Sequence, residues 1–514
     1  MPREPAMNVK SALCRGERGG VSPPIRSATQ LASAADAGSV PHGSRRAFLQ
    51  QSALGFGSLA LAHLLARDGL LAAGEAERSA SERFDLRPRL GHFPAQARSM
   101  ILLFQNGGPS QMDLFDHKLE LQKRDGQVYA EKVEVLQPGN SNQLMASPFK
   151  FQKQGACGME LSDLLPHLGS VADDLCLVRS MHTDNNNHPQ ALRAFLTGKI
   201  FPGRPTLGAW VAYGLGTENQ NLPAFIALRD PKGYNSGGSL NWDSGWLPPL
   251  FRATEFQSQG APVLNLQPAI GLPDGVQRGD LRFLAELNEE HRRRFPHESD
   301  LEARIRHYEL AARMQLSTEA VLDLSQETEA TQKAYGMDKP ATADYGKRCL
   351  MARRLVEAGV RFVQLDAPIR TPWDNHSNLK QGIEEIAGKV DQPSAALIRD
   401  LKQRGLLEET IVVWTGEFGR LPVSQNGNGR DHNRNAFGLF AAGGGFKSGH
   451  IHGATDEFGY RSVEGRVSCP DFMATLLSLL GLDHERLTYF HNGREETLTD
   501  PAVSHAHVVD QLLA

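Results

Sequence analysis

Imidazoles and carboxylates recur in four clusters of this sequence: Ser110 with Asp113, His182 with His188, Asp374 with His376, and Glu417 followed by Asp431 and His432. Such a mixture suits a divalent transition metal such as Zn²⁺ or Mn²⁺ better than an all-oxygen Ca²⁺ cage. A cation held there would activate water and screen an anionic substrate. Arg420 would hold a phosphate or sulfate oxygen in a charge-assisted bond. Taken singly, each cluster is more often a satisfied loop pair, as Glu417 with Arg420 would be. Their common placement is what joins them, because each follows a stretch with strand character.

Those stretches are Met100 to Phe104, Leu175 to Val178, Arg361 to Leu365 and Ile411 to Trp414, with Phe225 to Leu228 as a further run. They are short, continuous and apolar, which is the pattern of strands covered on both faces. Helix-like segments follow the loops, at Gln190 to Leu196, Arg204 to Gly216 and Ile383 to Leu401. The repeated order strand, polar loop, helix predicts an α/β fold with a doubly wound, mostly parallel sheet. Ligands of such sheets sit outside the carboxyl ends of the strands, where Glu417, Arg420 and the Gly427–Gly429 loop carrying Asp431 and His432 would emerge. His188 precedes Pro189 and is expected at a helix N-terminus, whose dipole would keep the imidazole neutral at pH 7. The Gly233–Trp246 stretch lacks periodicity and reads as a long loop, and a helical insertion is expected at about 280–345.

With 514 residues and 40% hydrophobic content, the chain can bury a large core. Residues 1–76 carry Arg45 and Arg46 in the context Ser44-Arg-Arg-Ala-Phe-Leu, ahead of a mildly apolar run from Ala53 to Ala66. This fits a twin-arginine export signal, with the twin-arginine translocase as partner and a periplasmic or extracellular destination. The run is shorter than the about 20 residues of a membrane span. Cleavage after Ala73 or Ala76 would leave no transmembrane span in the mature chain, and an uncleaved anchor is the alternative. Residues 77–98 read as a linker, 99–495 as the α/β domain and 496–514 as a C-terminal tail. Of a net charge of −4 the signal region contributes +3, leaving −7 on the remainder, which excludes nucleic acid as a partner. Past Cys14, the cysteines Cys157, Cys176, Cys349 and Cys469 are too widely spaced for a zinc ribbon and read as buried thiols, although export permits a bridge or two.

Six stretches together carry a family resemblance: Gln105-Asn-Gly-Gly-Pro-Ser-Gln-Met-Asp113 behind its strand, Asn187-His-Pro189 to Leu196-Thr-Gly198, Trp373-Asp-Asn-His376, Thr415-Gly-Glu-Phe-Gly-Arg420, Gly429-Arg-Asp-His-Asn433 and the twin-arginine leader. Over about Ser99 to Gly493 the chain resembles the exported bacterial proteins grouped as domain of unknown function 1501, a family placed in the alkaline phosphatase and sulfatase superfamily. His188 to Gly198 is similar to the sulfatase segment in which a modified Cys or Ser precedes Pro, and Val412 to Gly419 to the strand that ends Ser-Asp-His-Gly. The resemblance implies an exported, sulfatase-like, metal-dependent hydrolase of a sulfate or phosphate ester, acting on an anionic glycan or a small ester. Its catalytic candidates are His188, Arg420 and Ser110; its ligand candidates for Zn, Mn or Ca are Asp113, Asp374, His376, Glu417, Asp431 and His432. Three departures stand against an ordinary formylglycine mechanism. Gln105 and Asn106 replace two metal-binding aspartates, His188 stands where the nucleophile belongs, and Glu417-Phe418 replaces Asp-His. The alternative is a non-catalytic exported binding or assembly protein that keeps the fold.

Replacing both Arg45 and Arg46 with Lys is expected to leave the precursor in the cytoplasm, as followed by fractionation and immunoblotting. Export of the double variant at the wild-type level would remove the signal assignment.

Overall fold

The computed structural model describes residues 85–260, 263, 274–295, 299–368 and 371–514, all within one compact unit that runs from Glu77 to Ala514. The twin arginines, the apolar run after them and both cleavage positions lie outside the described residues.

Nine strands build the central sheet: β1 (Ser99–Phe104), β2 (Leu175–His182), β3 (Phe225–Leu228), β4 (Thr254–Phe256), β5 (Phe362–Asp366), β6 (Thr410–Thr415), β7 (Phe437–Ala442), β8 (His450–His452) and β9 (Val467–Ser468). Their order is β8-β2-β7-β6-β1-β5-β3-β4, with β9 also on β2. Pairing is parallel throughout except at β7, which runs antiparallel to both neighbours, β2 and β6. The sequence reading did not include β7, whose Phe-Gly-Leu-Phe-Ala-Ala run has little β-branched character.

Among the described residues seven longer helices accompany the sheet: α1 (His188–Thr197), α2 (Leu207–Leu215), α3 (Asp274–Arg294), α4 (Ser299–Leu322), α5 (Ala343–Glu357), α6 (Leu379–Gln403) and α7 (Cys469–Leu479). Alternate side chains of each central strand enter opposite cores, as the period of two dictates. Ile101, Leu103, Val363, Leu365, Val412 and Trp414 pack with Leu350, Leu355, Ile383 and Leu397 of α5 and α6. On the other face Met100, Leu102, Phe104, Phe362, Ile411 and Val413 meet Leu192, Phe195, Trp210 and Phe472 of α1, α2 and α7. The sheet is therefore doubly wound, and both faces of β1 and β6 are buried end to end.

The helical insertion is the pair α3 and α4, of which Leu310 and Met314 of α4 join the first core. Two boundaries differ from the sequence reading. The linker is docked from residue 85 onward, with Arg89 N–H donating to Leu215 and His92 N–H to Gly481. The tail also belongs to the domain, because Val509 and Leu512 enter the second core and Lys447 N–H donates to the Leu512 carbonyl. Both segments look polar overall, yet a few apolar side chains with good backbone partners suffice to order them. Of the cysteines in the described residues, Cys176, Cys349 and Cys469 are buried free thiols and Cys157 is a half-buried one. No described helix is long and apolar enough to cross a membrane.

Register aligns the strand ends that matter. Phe104 pairs with both Asp366 and Thr415, and Met181 pairs with Phe437, so β1, β2, β5 and β6 release their carboxyl ends at one rim. Beneath it Trp414 stacks on Phe440 at 5.4 Å and meets Trp373 edge-on at 5.7 Å. Trp414→Ala should lower stability by about 3–5 kcal/mol, the range for emptying a large aromatic site, seen as a lower thermal midpoint by circular dichroism. An unchanged midpoint would show that this aromatic stack does not support the rim.

Candidate metal centre

The loops at the rim deliver the side chains. Past β2, Asn187 leads into α1 with Pro189 in its first turn, which sets His188 at the helix start. The loop after β5 presents Asp374 and His376, and β6 ends just before Glu417. A short antiparallel pair, Gly419–Arg420 with His432–Asn433, folds the chain back so that His432 returns to the same place. Close backbone approach demands glycine twice. Gly107, at φ 107°, would push a Cβ to 2.8 Å from the Asp374 nitrogen, and one at Gly429 would lie 2.1 Å from the His376 carbonyl.

Asp374 is the centre of the group. Its Oδ2 lies 3.2 Å from His188 Nε2, and its Oδ1 lies 2.9 Å from His376 Nε2, 3.1 Å from His432 Nε2 and 2.7 Å from Arg420 Nη2. The opposite nitrogen of every ring also has a partner: Nδ1 of His188 faces Glu417 Oε1 at 2.5 Å, Nδ1 of His376 faces Gln425 Oε1 at 2.6 Å, and Nδ1 of His432 faces the Asn186 carbonyl at 2.6 Å. Glu417 is fully buried and also accepts the Gly107 N–H, at 2.9 and 3.2 Å to its two oxygens.

The electrostatics follow from these contacts. Burial works against ionisation of Asp374, but a hydrogen bond from His188 and the Arg420 charge hold its carboxyl far below the usual range. Burial lowers the His188 pKa, and the bonds to Asp374 and Glu417 outweigh it and raise the ring to about 9. The expectation of a neutral His188 is therefore corrected: two carboxylates in contact exceed the pull of one helix dipole. His432 moves the other way, to about 4, through burial and the Arg420 and His188 charges.

His188, Asp374, His376, Glu417, Arg420 and His432 thus come together, and the remaining candidates divide. Asp431 sits beside them, its Oδ1 4.0 Å from His376 Nδ1, and it accepts backbone N–H bonds from Leu136 at 2.8 Å, Gln137 at 3.0 Å and His432 at 2.8 Å. Asp113 is instead locked to Arg430 at 2.8 Å, with Ser110 donating to the same carboxylate. Among the described residues His182 shares no hydrogen bond or ion pair with the group. Arg420 is buried and spends its donors on the carbonyls of Gly107, Gly108, Trp373 and Arg430 as well as on Asp374, so it braces the rim rather than facing an open site. Sequence reasoning missed Gln425, Gln137, the Asn186 carbonyl and the Arg430 counter-charge. Nothing in residue type or spacing marks a glutamine as a histidine partner.

Among the described residues two overlapping sets have the proximity for ion binding, His188-Asp374-His432 and His376-Asp431-His432, with ligand atoms within 4.8 Å of one another. Beside them opens a cavity of about 630 Å³ whose walls include Lys132, Leu136, Asn185, Asn186 and Arg434.

A family model described as "Protein of unknown function (DUF1501)" matches residues 97–513. Among solved structures, the lipoteichoic acid synthase LtaP from Listeria monocytogenes is 10% identical, over 80% of this chain and 78% of that one, with a TM-score of 0.32. The PsFucS1 sulfatase from Pseudoalteromonas sp. is 12% identical, over 80% and 73%, with a TM-score of 0.34. The phosphonate monoester hydrolase SpPMH from Silicibacter pomeroyi is 12% identical, over 66% and 72%, with a TM-score of 0.30. No curated protein matches the chain. Likenesses of this size carry no argument about the site, which stands on its own contacts.

Because the folded pKa of His188 is raised from 6.5 to about 9, its contribution to stability is complete below pH 6.5 and is lost as pH climbs through about 9. Chelator-treated protein should therefore melt at progressively lower temperature over that window, and His188→Gln should flatten the decline. Parallel wild-type and variant curves would contradict the raised value.

Proposed function

We propose that this chain, which belongs to the DUF1501 family, is an exported metal-dependent hydrolase of a sulfate or phosphate ester. One observation carries the reading: three histidine Nε2 atoms point at a single buried-rim carboxylate, Asp374. Nδ1 of His376 and of His432 each faces an oxygen that only accepts, from Gln425 and from the Asn186 backbone, so the ring hydrogen is on Nδ1 and Nε2 is a bare lone pair. Bare nitrogens 2.9 and 3.1 Å from a carboxylate oxygen repel it, and a cation among them turns the repulsion into ligation. Two donor sets fit the group: His188 and His432 with Asp374, or His376 and His432 with Asp431, would hold it. Imidazole-rich ligation favours Zn²⁺ or Mn²⁺ over Ca²⁺.

When bound, the metal supplies Lewis acidity toward an anionic ester and a bound water of lowered pKa. The chain's own groups do the rest. Arg420 fixes Asp374 in one orientation, so little reorganisation is needed at the reacting centre. The cavity adjoins the cluster through Asn186, whose carbonyl accepts from His432, and it would take the alcohol portion of the ester. Lys132 is exposed on its wall, a cation available to an anionic glycan or small ester.

A second reading, a non-catalytic exported binding protein, is favoured by Arg420 having its guanidinium committed to carbonyls and Asp374 rather than open to an ester. Metal analysis of protein purified from the periplasm separates the two. Stoichiometric Zn or Mn is expected, with hydrolysis of a chromogenic sulfate or phosphate ester that a chelator removes. Asp374→Asn and His188→Asn should each lose most of the metal with the fold retained. Folded wild-type protein that takes up no metal would sink the hydrolase, and metal without hydrolysis of any ester would favour the binding protein.

A further inference from the structure

We infer that Glu417 and Gln425 are positioning residues, which fix the tautomers of His188 and His376 so that both rings ligate through Nε2, and that neither residue touches the metal. This rests on the metal-centre reading and departs from the family pattern, in which position 417 would supply a ligand.

Gln425 is fully buried, and both ends of its amide are assigned by their partners. Its Nε2 donates to the Pro138 carbonyl at 3.0 Å, which turns Oε1 toward His376 Nδ1 at 2.6 Å. An amide oxygen only accepts, so Nδ1 must carry the hydrogen. The far nitrogen agrees: Gln137 Nε2, a donor, approaches His376 Nε2 at 3.1 Å, a contact open to a bare nitrogen. Glu417 is held just as tightly. The Gly107 N–H pins both of its oxygens, and Oε1 takes His188 Nδ1, while His188 Nε2 lies 3.2 Å from Asp374 Oδ2. Metal-bound histidines commonly donate their other ring N–H to a carboxylate or carbonyl in this way, which orients the ring and raises its basicity. The His188 Nδ1 bond therefore gives the carboxylate a full task without a place in the coordination sphere.

The test uses the full exported chain and two readouts. In metal-free protein with ¹⁵N-labelled histidine, His376 should show the Nδ1–H tautomer by NMR, keep it in Gln425→Glu, and lose it to a mixture in Gln425→Leu. With Zn²⁺ and a chromophoric chelator in competition, Gln425→Leu should bind about 10- to 100-fold more weakly, and Gln425→Glu should stay near wild type. Glu417→Gln keeps an oxygen for Nδ1–H and should retain stoichiometric Zn²⁺ at reduced affinity. The inference is overturned by an Nε2–H tautomer in the wild type, by unaltered Zn²⁺ affinity in Gln425→Leu, or by a folded Glu417→Gln that binds no metal, which would make Glu417 a ligand. Wild-type protein that binds no Zn²⁺ would remove the hydrolase reading and the ligation with it, whereas the metal-free tautomer alone decides whether Gln425 positions His376.

Discussion

A carboxylate surrounded by four nitrogen groups is the constraint on which the rim depends. Asp374 is largely withdrawn from water, and a carboxylate so placed without partners would cost several kcal/mol. It is stabilised by Arg420 at 2.7 Å and by His188 at 3.2 Å, with the Nε2 atoms of His376 and His432 at 2.9 and 3.1 Å. Arg420 in turn is tied to carbonyls from three separate loops, those of Gly107 and Gly108, of Trp373, and of Arg430. One guanidinium therefore fastens the exits of β1, β5 and β6 to each other and to the acid at their centre. Shifting any of these loops disturbs the charge balance of all of them.

The sheet supplies the rigidity that this arrangement requires. Because β1, β5 and β6 are parallel and in register, their ends differ little in height, and helices seal both faces against slippage. β7 inserts between β2 and β6 in the opposite direction without disturbing the rim, since two antiparallel pairings restore β2 to the direction of its neighbours. The aromatic layer of Trp373, Trp414 and Phe440 then sets the height of the loop that carries Asp374.

A second buried ion pair lies just outside the centre. Arg430 and Asp113 are both fully buried at 2.8 Å, and Arg430 also donates to the Leu421 and Met145 carbonyls. Next to it, Asp431 gathers the N–H groups of Leu136 and Gln137, which ties an otherwise irregular segment over the site at one wall of the cavity. Neighbouring residues in the sequence thus do opposite work: Arg430 braces the interior, Asp431 holds the roof, and His432 faces Asp374.

The fold class was legible in the sequence because buried parallel strands are continuous apolar runs, and Met100 to Phe104 and Ile411 to Trp414 have no other economical home. The rim residues were legible for a related reason, since His188, Asp374, His376, Glu417 and His432 all stand shortly after such runs or on a Gly-rich return from one. Residue type then limited the chemistry to imidazole and carboxylate. Only the tertiary structure decided which acid is central: Asp374 gathers the rings, Asp113 is neutralised by Arg430, and Glu417 turns to the far side of His188. Only it showed that His188 lies between two carboxylates, and that Gln425 completes the group. The physical reason is that sequence lists donors and acceptors, whereas hydrogen bonds and ion pairs depend on distances and directions of a few ångströms between residues as much as 391 positions apart.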